Sequence, residues 1–175
     1  MKLTETKISG QTVYKGKVVT LNVDEVILPD GKIAKREIVR HTGGAAVLAV
    51  KDNSVLLVRQ FRYAYGREIY EIPAGKIDVG EDPENAARRE LEEETGYTAK
   101  LIHALNIYPT PGYTDEIIHI FFAENLKFLG QRLDEGEFLN CEFVPLEKVV
   151  SAIEYGEITD AKTVAAIYKY LHDKR

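Results

Sequence analysis

Residues 75–97 read GKIDVGEDPENAARRELEEETGY, and this stretch decides how the rest of the chain is understood. Asp82 is placed to cap a helix, Pro83 suits its first position, and Gly96 sits where a C-terminal cap belongs. On such a helix Glu90, Glu93 and Glu94 are three or four residues apart and share a face. Leu91 and the Ala86-Ala87 pair supply the buried side, while Glu92 turns toward solvent. Three carboxylates on one face repel one another at neutral pH, and together they form a hard-oxygen cluster suited to Mg²⁺ or Mn²⁺. Taken alone, Glu92-Glu93-Glu94 reads as a solvated helix surface. The spacing around it says more, because Gly75, Glu81, Arg89-Glu90, Glu93-Glu94 and Gly96 fit the pattern G-x5-E-x7-R-E-U-x-E-E-x-G-U, with apolar Leu91 and Tyr97 at U.

Upstream of this helix the chain reads as strands. Val13 to Val19, Leu21 to Leu28 and Ile33 to Val39 favour extended backbone, with Pro29-Asp30-Gly31 a turn between the last two. After Thr42-Gly43-Gly44 come two apolar strand candidates, Ala45 to Val50 and Val55 to Val58, joined by the polar turn Lys51-Asp52-Asn53-Ser54. Glu68 to Ile72 is a further candidate, broken by Pro73-Ala74-Gly75. Downstream, strands are expected at Leu101 to Tyr108, Ile117 to Ala123 and Cys141 to Val144. Helices are expected from Leu146 to Tyr155, stopped by Gly156, and from Ala161 to His172, opened by Asp160. Strands flanked by three helices predict a mixed sheet layered between helices.

Composition narrows the function classes. The chain has 175 residues, of which 45% are apolar, enough for a real core. A net charge of −5, from 23 basic and 28 acidic residues, argues against a nucleic-acid backbone as the main partner. No apolar run approaches the roughly 18 residues needed to span a bilayer. The N-terminus lacks a secretory core, and Cys141 is the single cysteine, so no internal disulfide can form. These features predict a cytoplasmic protein with no membrane partner. His41, His103, His119 and His172 lack metal-ligand spacing, and Gly43-Gly44 is too short for a dinucleotide-binding fingerprint.

The 75–97 pattern resembles the signature of the Nudix hydrolase family. Further pieces extend the resemblance to the ADP-ribose pyrophosphatase branch: Lys35 to Val39, Val58 to Arg62, Glu71 to Lys76, Thr110 to Glu116, Asp134 to Glu137 and Thr159 to Thr163. The resemblance implies an α/β fold, a Nudix-like α/β/α sandwich with a mixed sheet. A small N-terminal antiparallel β meander over 1–42 would serve in dimerisation, and 43–175 would form the hydrolase domain.

It also implies roles. Glu90 and Glu94 would be the main metal ligands, supported by Glu93, Glu137 and the Ala74 carbonyl, with Mg²⁺ as cofactor and Mn²⁺ a substitute. Arg89 would orient the carboxylates, Glu81 would secure the loop, and Glu135 would be the general base, with Glu137 the fallback. Arg62 would contact a phosphate, Lys76 and Thr110-Pro111-Gly112 would touch substrate, and Glu116 would bind the ribose side. Arg36 and Glu37 would reach substrate from the partner subunit of a homodimer. The implied reaction is metal-dependent hydrolysis of ADP-ribose to AMP and ribose 5-phosphate. GDP-mannose, another nucleotide sugar or a dinucleoside polyphosphate are alternative substrates, and a ligand sensor without turnover is the alternative class. The chain has no Trp, so adenine stacking would fall to Tyr or Phe.

Overall fold

The computed structural model describes residues 2–174. By its internal contacts the chain divides into two compact units. One comprises the chain up to Gly43 with Tyr108–Ile117; the other comprises Gly44–Ile107 and the chain from Ile118 onward.

The first unit is a three-stranded antiparallel sheet of β1 (Thr6–Lys15), β2 (Thr20–Ile27) and β3 (Ile33–Arg40), in that order. Gly31 turns the β2–β3 connection at φ +86°, where a side chain is disfavoured. The segment Tyr108–Ile117 joins β3: Val39 N donates to Tyr113 O at 2.8 Å, and Asp115 accepts from Arg40 and from His41 N, each at 2.9 Å. Every residue of β1 is exposed.

The second unit is built on a mixed seven-stranded sheet. Its strands are β4 (Gly44–Lys51), β5 (Ser54–Arg62), β6 (Arg67–Glu71), β7 (Ala74–Lys76), β8 (Tyr97–Ile107), β9 (Ile118–Phe128) and β10 (Leu139–Pro145). The main path runs β10-β5-β4-β9-β8; β6 pairs with β5, and β7 with β4. Only β4 and β9 are parallel. The near-continuous apolar run of β4 follows from burial on both faces. Ala45, Val47 and Ala49 pack with Ala86, Ala87 and Leu91 of α1 (Pro83–Thr95). Ala46 and Leu48 pack on the other face with Val149 of α2 (Leu146–Glu154) and with Ala166 and Ile167 of α3 (Ala161–Asp173). The sheet therefore lies between one helix and two, an α/β/α sandwich. Among the described residues no helix is long and apolar enough to cross a membrane.

The β4–β5 hairpin turns at Asp52 and Asn53, both in the left-handed region (φ 48° and 56°), which these two residue types tolerate. Four expectations are adjusted. The strand expected from Val13 to Val19 is displaced: β1 runs over Thr6–Lys15, and Gly16 N donates to Val19 O at 2.9 Å in the turn that follows it. The segment Pro73-Ala74-Gly75 does not simply break the chain; Ala74–Lys76 forms β7 against β4. β5 runs on from Val58 to Arg62 because β6 and β10 pair with that end. A short 3-10 turn, Tyr63–Tyr65, closes the β5–β6 link, ending in Gly66.

Helix α1 is fixed at both ends. Asp82 accepts from Glu84 N at 2.9 Å and Asn85 N at 3.4 Å, satisfying two otherwise unpaired donors. Asp82→Ala is expected to cost about 1 kcal/mol of stability, read as a lower denaturant midpoint with unchanged m; an unchanged midpoint would remove the cap from the argument. At the other end Gly96 adopts φ +75°, and a Cβ there would also collide with the backbone of Gly130 and Gln131. That close approach straps the loop after β9 to the helix end. Leu129 N donates to Gly96 O at 2.7 Å, Gln131 Nε2 to Glu94 O at 2.6 Å, and Arg132 N to Glu93 O at 3.2 Å.

Candidate active site

The acidic face of α1 opens into a depression of about 300 Å³ lined by Gln60, Arg62, Lys76, Glu90, Glu94 and Glu137 among others. Negative and positive groups share it: carboxylates come from the helix, from Asp78 and from the loop after β9, and besides Arg89 of the helix the cations Arg62 and Lys76 come from the ends of β5 and β7.

Arg89 organises the helix side. Its Nε and one Nη grip both Glu81 oxygens at 3.1 and 3.0 Å, and its other Nη donates to Glu90 at 2.7 Å and Glu93 at 3.1 Å. Glu81 in turn accepts from Asp78 N at 3.0 Å, which fixes the turn ahead of the helix. The fork of one arginine thus holds three carboxylates whose mutual repulsion would otherwise splay them.

Glu90 and Glu94 are buried, with 8% and 4% of their surface exposed. Glu94 accepts from Ala74 N at 2.9 Å, tying the helix to β7. Burial, with the charges of Glu90, Glu137 and Glu71 added to it, pushes the Glu94 carboxyl up to about 8. Burial likewise raises Glu90. Gly75 is what makes room, since a Cβ at that position would overlap the Glu90 carboxyl group.

Donor type and charge fit a hard divalent cation: carboxylate oxygens crowded in a partly dry depression with surplus negative charge. Among the described residues, however, no three His, Cys, Asp or Glu side chains already stand in a metal-holding geometry. Glu90 and Glu93 are turned to Arg89, and Glu94 to Ala74 N.

In the loop between β9 and β10, Glu135 and Glu137 are both exposed, but only Glu137, with Asp134, lines the depression. Glu137 also accepts weakly from Asp134 N at 3.4 Å. Gly136, at φ +89°, makes the reversal between them.

The remaining predicted substrate residues belong to the first unit. Arg36 is paired with Glu5 at 2.6 Å and 2.9 Å, and Glu37 is exposed beside it on β3. Thr110 O accepts from Tyr113 N at 3.3 Å and Thr114 N at 3.2 Å, so Thr110-Pro111-Gly112 forms a turn. Glu116 lies 3.6 Å from His41 Nδ1.

The sequence reading missed a buried group behind Arg62. Glu71, only 1% exposed, accepts from Arg62 at 2.6 and 2.8 Å and is paired with Lys162 of α3. Burial alone would raise Glu71, but the Arg62 hydrogen bonds and the Lys162 charge outweigh it and hold the carboxyl low. The only available signal was that Glu71 and Lys162 both fall in segments quoted for the resemblance.

Comparison with known proteins matches residues 40–167 to the NUDIX domain family and residues 5–39 to the nucleoside diphosphate sugar hydrolase N-terminal domain. The chain belongs to the NUDIX family. Hydrolases of this family generally use divalent metals, as the crowded acids of α1 suit. An ADP-ribose pyrophosphatase of Bacillus subtilis (strain 168) is 49% identical, covering 98% of this chain and 95% of that protein. A methanol dehydrogenase activator of Bacillus methanolicus is 44% identical over 95% of this chain and 92% of its own length. A solved structure of an ADP compounds hydrolase superposes with a TM-score of 0.87 over 98% of this NUDIX chain and 95% of its own, at 24% identity, and bears on the fold alone.

Proposed function

We propose that this NUDIX protein hydrolyses ADP-ribose at its pyrophosphate, giving AMP and ribose 5-phosphate. The observation that carries the reading is one depression holding a carboxylate wall and, besides Arg89, which is engaged by Glu81, Glu90 and Glu93, the two further cations Arg62 and Lys76, which suits a metal-bound diphosphate. The choice of ADP-ribose is supported by the 49% identical relative of that name.

In this reading Mg²⁺, replaceable by Mn²⁺, would be held by Glu90 and Glu94, with Glu93, Glu137 and the Ala74 carbonyl in support. When bound it neutralises phosphate oxygens and acidifies the attacking water. Arg89 keeps the carboxylates oriented. Arg62 and Lys76 bind the diphosphate and orient it toward that water. A loop acid, Glu135, takes the proton as water oxygen bonds to one phosphorus and the bridging P–O bond breaks. The bridging oxygen leaves on the other phosphate. Arg36, Glu37, Thr110, Pro111, Gly112 and Glu116 are proposed substrate contacts, the first two across a homodimer for which the meander over 1–42 supplies the contact. Residues 43–175 form the hydrolase domain, and the enzyme works in the cytoplasm.

Nucleotide sugars such as GDP-mannose are the second reading, favoured by the match at residues 5–39. Product release from ADP-ribose, GDP-mannose and a diadenosine polyphosphate, with metal and with chelator, separates the readings. Metal-dependent AMP release fastest from ADP-ribose is expected; a faster nucleotide sugar moves the substrate, and silence on all three leaves a binding module. In the same assay Glu135→Gln is expected to lower kcat by about 10²–10⁴ at unchanged metal affinity, whereas Glu137→Gln weakens metal binding. The opposite pattern would transfer the base to Glu137, the acid that lines the depression.

A further inference from the structure

Arg62 is one end of a chain of alternating charges that runs from the depression into the protein. Its Nε and one Nη are taken by the two oxygens of Glu71. Lys162 Nζ contacts Glu71 Oε2 on the far side and Asp160 Oδ1 at 3.0 Å. Asp160 caps α3 by accepting from Thr163 N at 3.0 Å, and the Thr163 hydroxyl accepts from Ile72 N at 2.9 Å. The two inner members, Glu71 and Lys162, are buried, whereas the Arg62 side chain is 41% exposed. Two cations alternate with two carboxylates, so the chain is neutral as a whole.

A buried glutamate needs only one close cation to be neutralised, and Lys162 already supplies it. The second cation, Arg62, is clamped along one edge of its guanidinium at the rim of the depression. Its other Nη has no hydrogen-bond partner among the described residues. A planar fork fixed along one edge leaves the remaining N–H groups aimed in one direction, which is what a phosphate oxygen requires. An unclamped arginine would lose its rotamer freedom on binding; here that loss is met in folding.

We propose that Lys162 and Glu71 are positioning residues for the substrate's diphosphate, acting through Arg62. The inference rests on the reading of Arg62 as a phosphate contact. Lys162 sits one residue into α3, so the helix cap also becomes part of substrate recognition.

The test is Lys162→Met, which removes the charge and the terminal nitrogen and keeps the unbranched stem while Arg62 still neutralises Glu71. Groups that orient metal ligands are worth about 10–100-fold; taking the same scale for a group that orients a phosphate-binding arginine, kcat/KM for ADP-ribose is expected to fall by about that amount, chiefly through KM. Arg62→Ala should fall at least as far, and the double variant no further than Arg62→Ala alone. Lys162→Arg should recover part of the loss. A kcat/KM within about twofold of the parent in Lys162→Met, or losses that multiply in the double variant, would overturn the proposal.

A second readout needs no turnover. The Arg62 Nε–H signal in ¹⁵N NMR is expected to be protected from exchange in the parent and less so in Glu71→Gln, which removes the charge that Arg62 grips. Should that variant not fold, the parent decides, because exchange as fast as an exposed arginine would overturn the clamp. A parent inactive on every substrate but with a protected Arg62 would overturn the functional reading and support the clamp.

Discussion

Glu94→Gln is expected to lower kcat/KM by about 10³-fold, roughly 4 kcal/mol at the usual 1.36 kcal/mol per tenfold, while leaving the metal-free protein at least as stable as the parent. The two effects have opposite signs because the same feature produces them. Glu94 is nearly fully buried beside Glu90 and Glu137, and its carboxyl is pushed up to about 8 by burial and by those neighbours. Keeping it ionised is unfavourable for the chain alone. A glutamine keeps an oxygen to accept from Ala74 N, the bond Glu94 makes at 2.9 Å, and removes the charge. What it cannot supply is a strong anionic donor to a divalent cation. Hydrolysis assays in excess metal and thermal melts in chelator read the two effects separately. Glu92→Gln, on the same helix but outside the depression, should change neither. A Glu94→Gln protein that retains the parent's activity would end the assignment of this carboxylate to the metal. One that melts well below the parent would show that the charge is stabilising after all.

The helix carrying this residue was legible from the sequence because its signals are local. Asp82, Pro83 and Gly96 act within a turn of their own positions, and all three occupy the predicted places. The acidic face followed from spacing alone. The hairpin at Asp52-Asn53 was legible for the same reason. β7 was not, because Pro73 and Gly75 are poor strand residues, and only pairing with β4 holds those three residues extended. The Glu71–Lys162 pair was the hardest feature to see, since its members are 91 residues apart in sequence. A glutamate beside Tyr70 and Ile72 looks like any other edge-strand acid until α3 docks and covers it. Which acid of the Asp134-Glu135-Gly136-Glu137 segment borders the depression was likewise hidden. Gly136 reverses the chain in the left-handed region, and Glu137, not Glu135, borders the depression. Spacing showed the chemistry carried on one helix and the family resemblance named Arg62, Lys76 and Glu137, but the buried pair behind Arg62 needed the fold.

Glu71→Ala is expected to be among the most destabilising single substitutions outside the apolar core. Removing one partner of a buried ion pair typically costs about 3–5 kcal/mol, because the other charge stays behind uncompensated. Arg62 can swing toward solvent, but Lys162 is buried and would be left with Asp160 alone. At roughly 2–4 °C per kcal/mol for a chain of this size, the melting temperature should drop by about 6–20 °C. Replacing both buried members, Glu71→Leu with Lys162→Met, should recover much of that loss, since no buried charge then lacks a partner. The pH dependence follows from the direction of the Glu71 shift. Its carboxyl is held below the ordinary value of 4.5 by the Arg62 hydrogen bonds and the Lys162 charge, against the opposing effect of burial. The folded protein therefore binds fewer protons here than the unfolded chain. The stabilisation is complete above pH 4.5 and is lost as pH falls through the lowered folded value. Acid melts should accordingly be shallower in Glu71→Leu/Lys162→Met than in the parent. If the double variant is no more stable than Glu71→Ala, packing around the pair, and not its charge, is what the single substitution destroys.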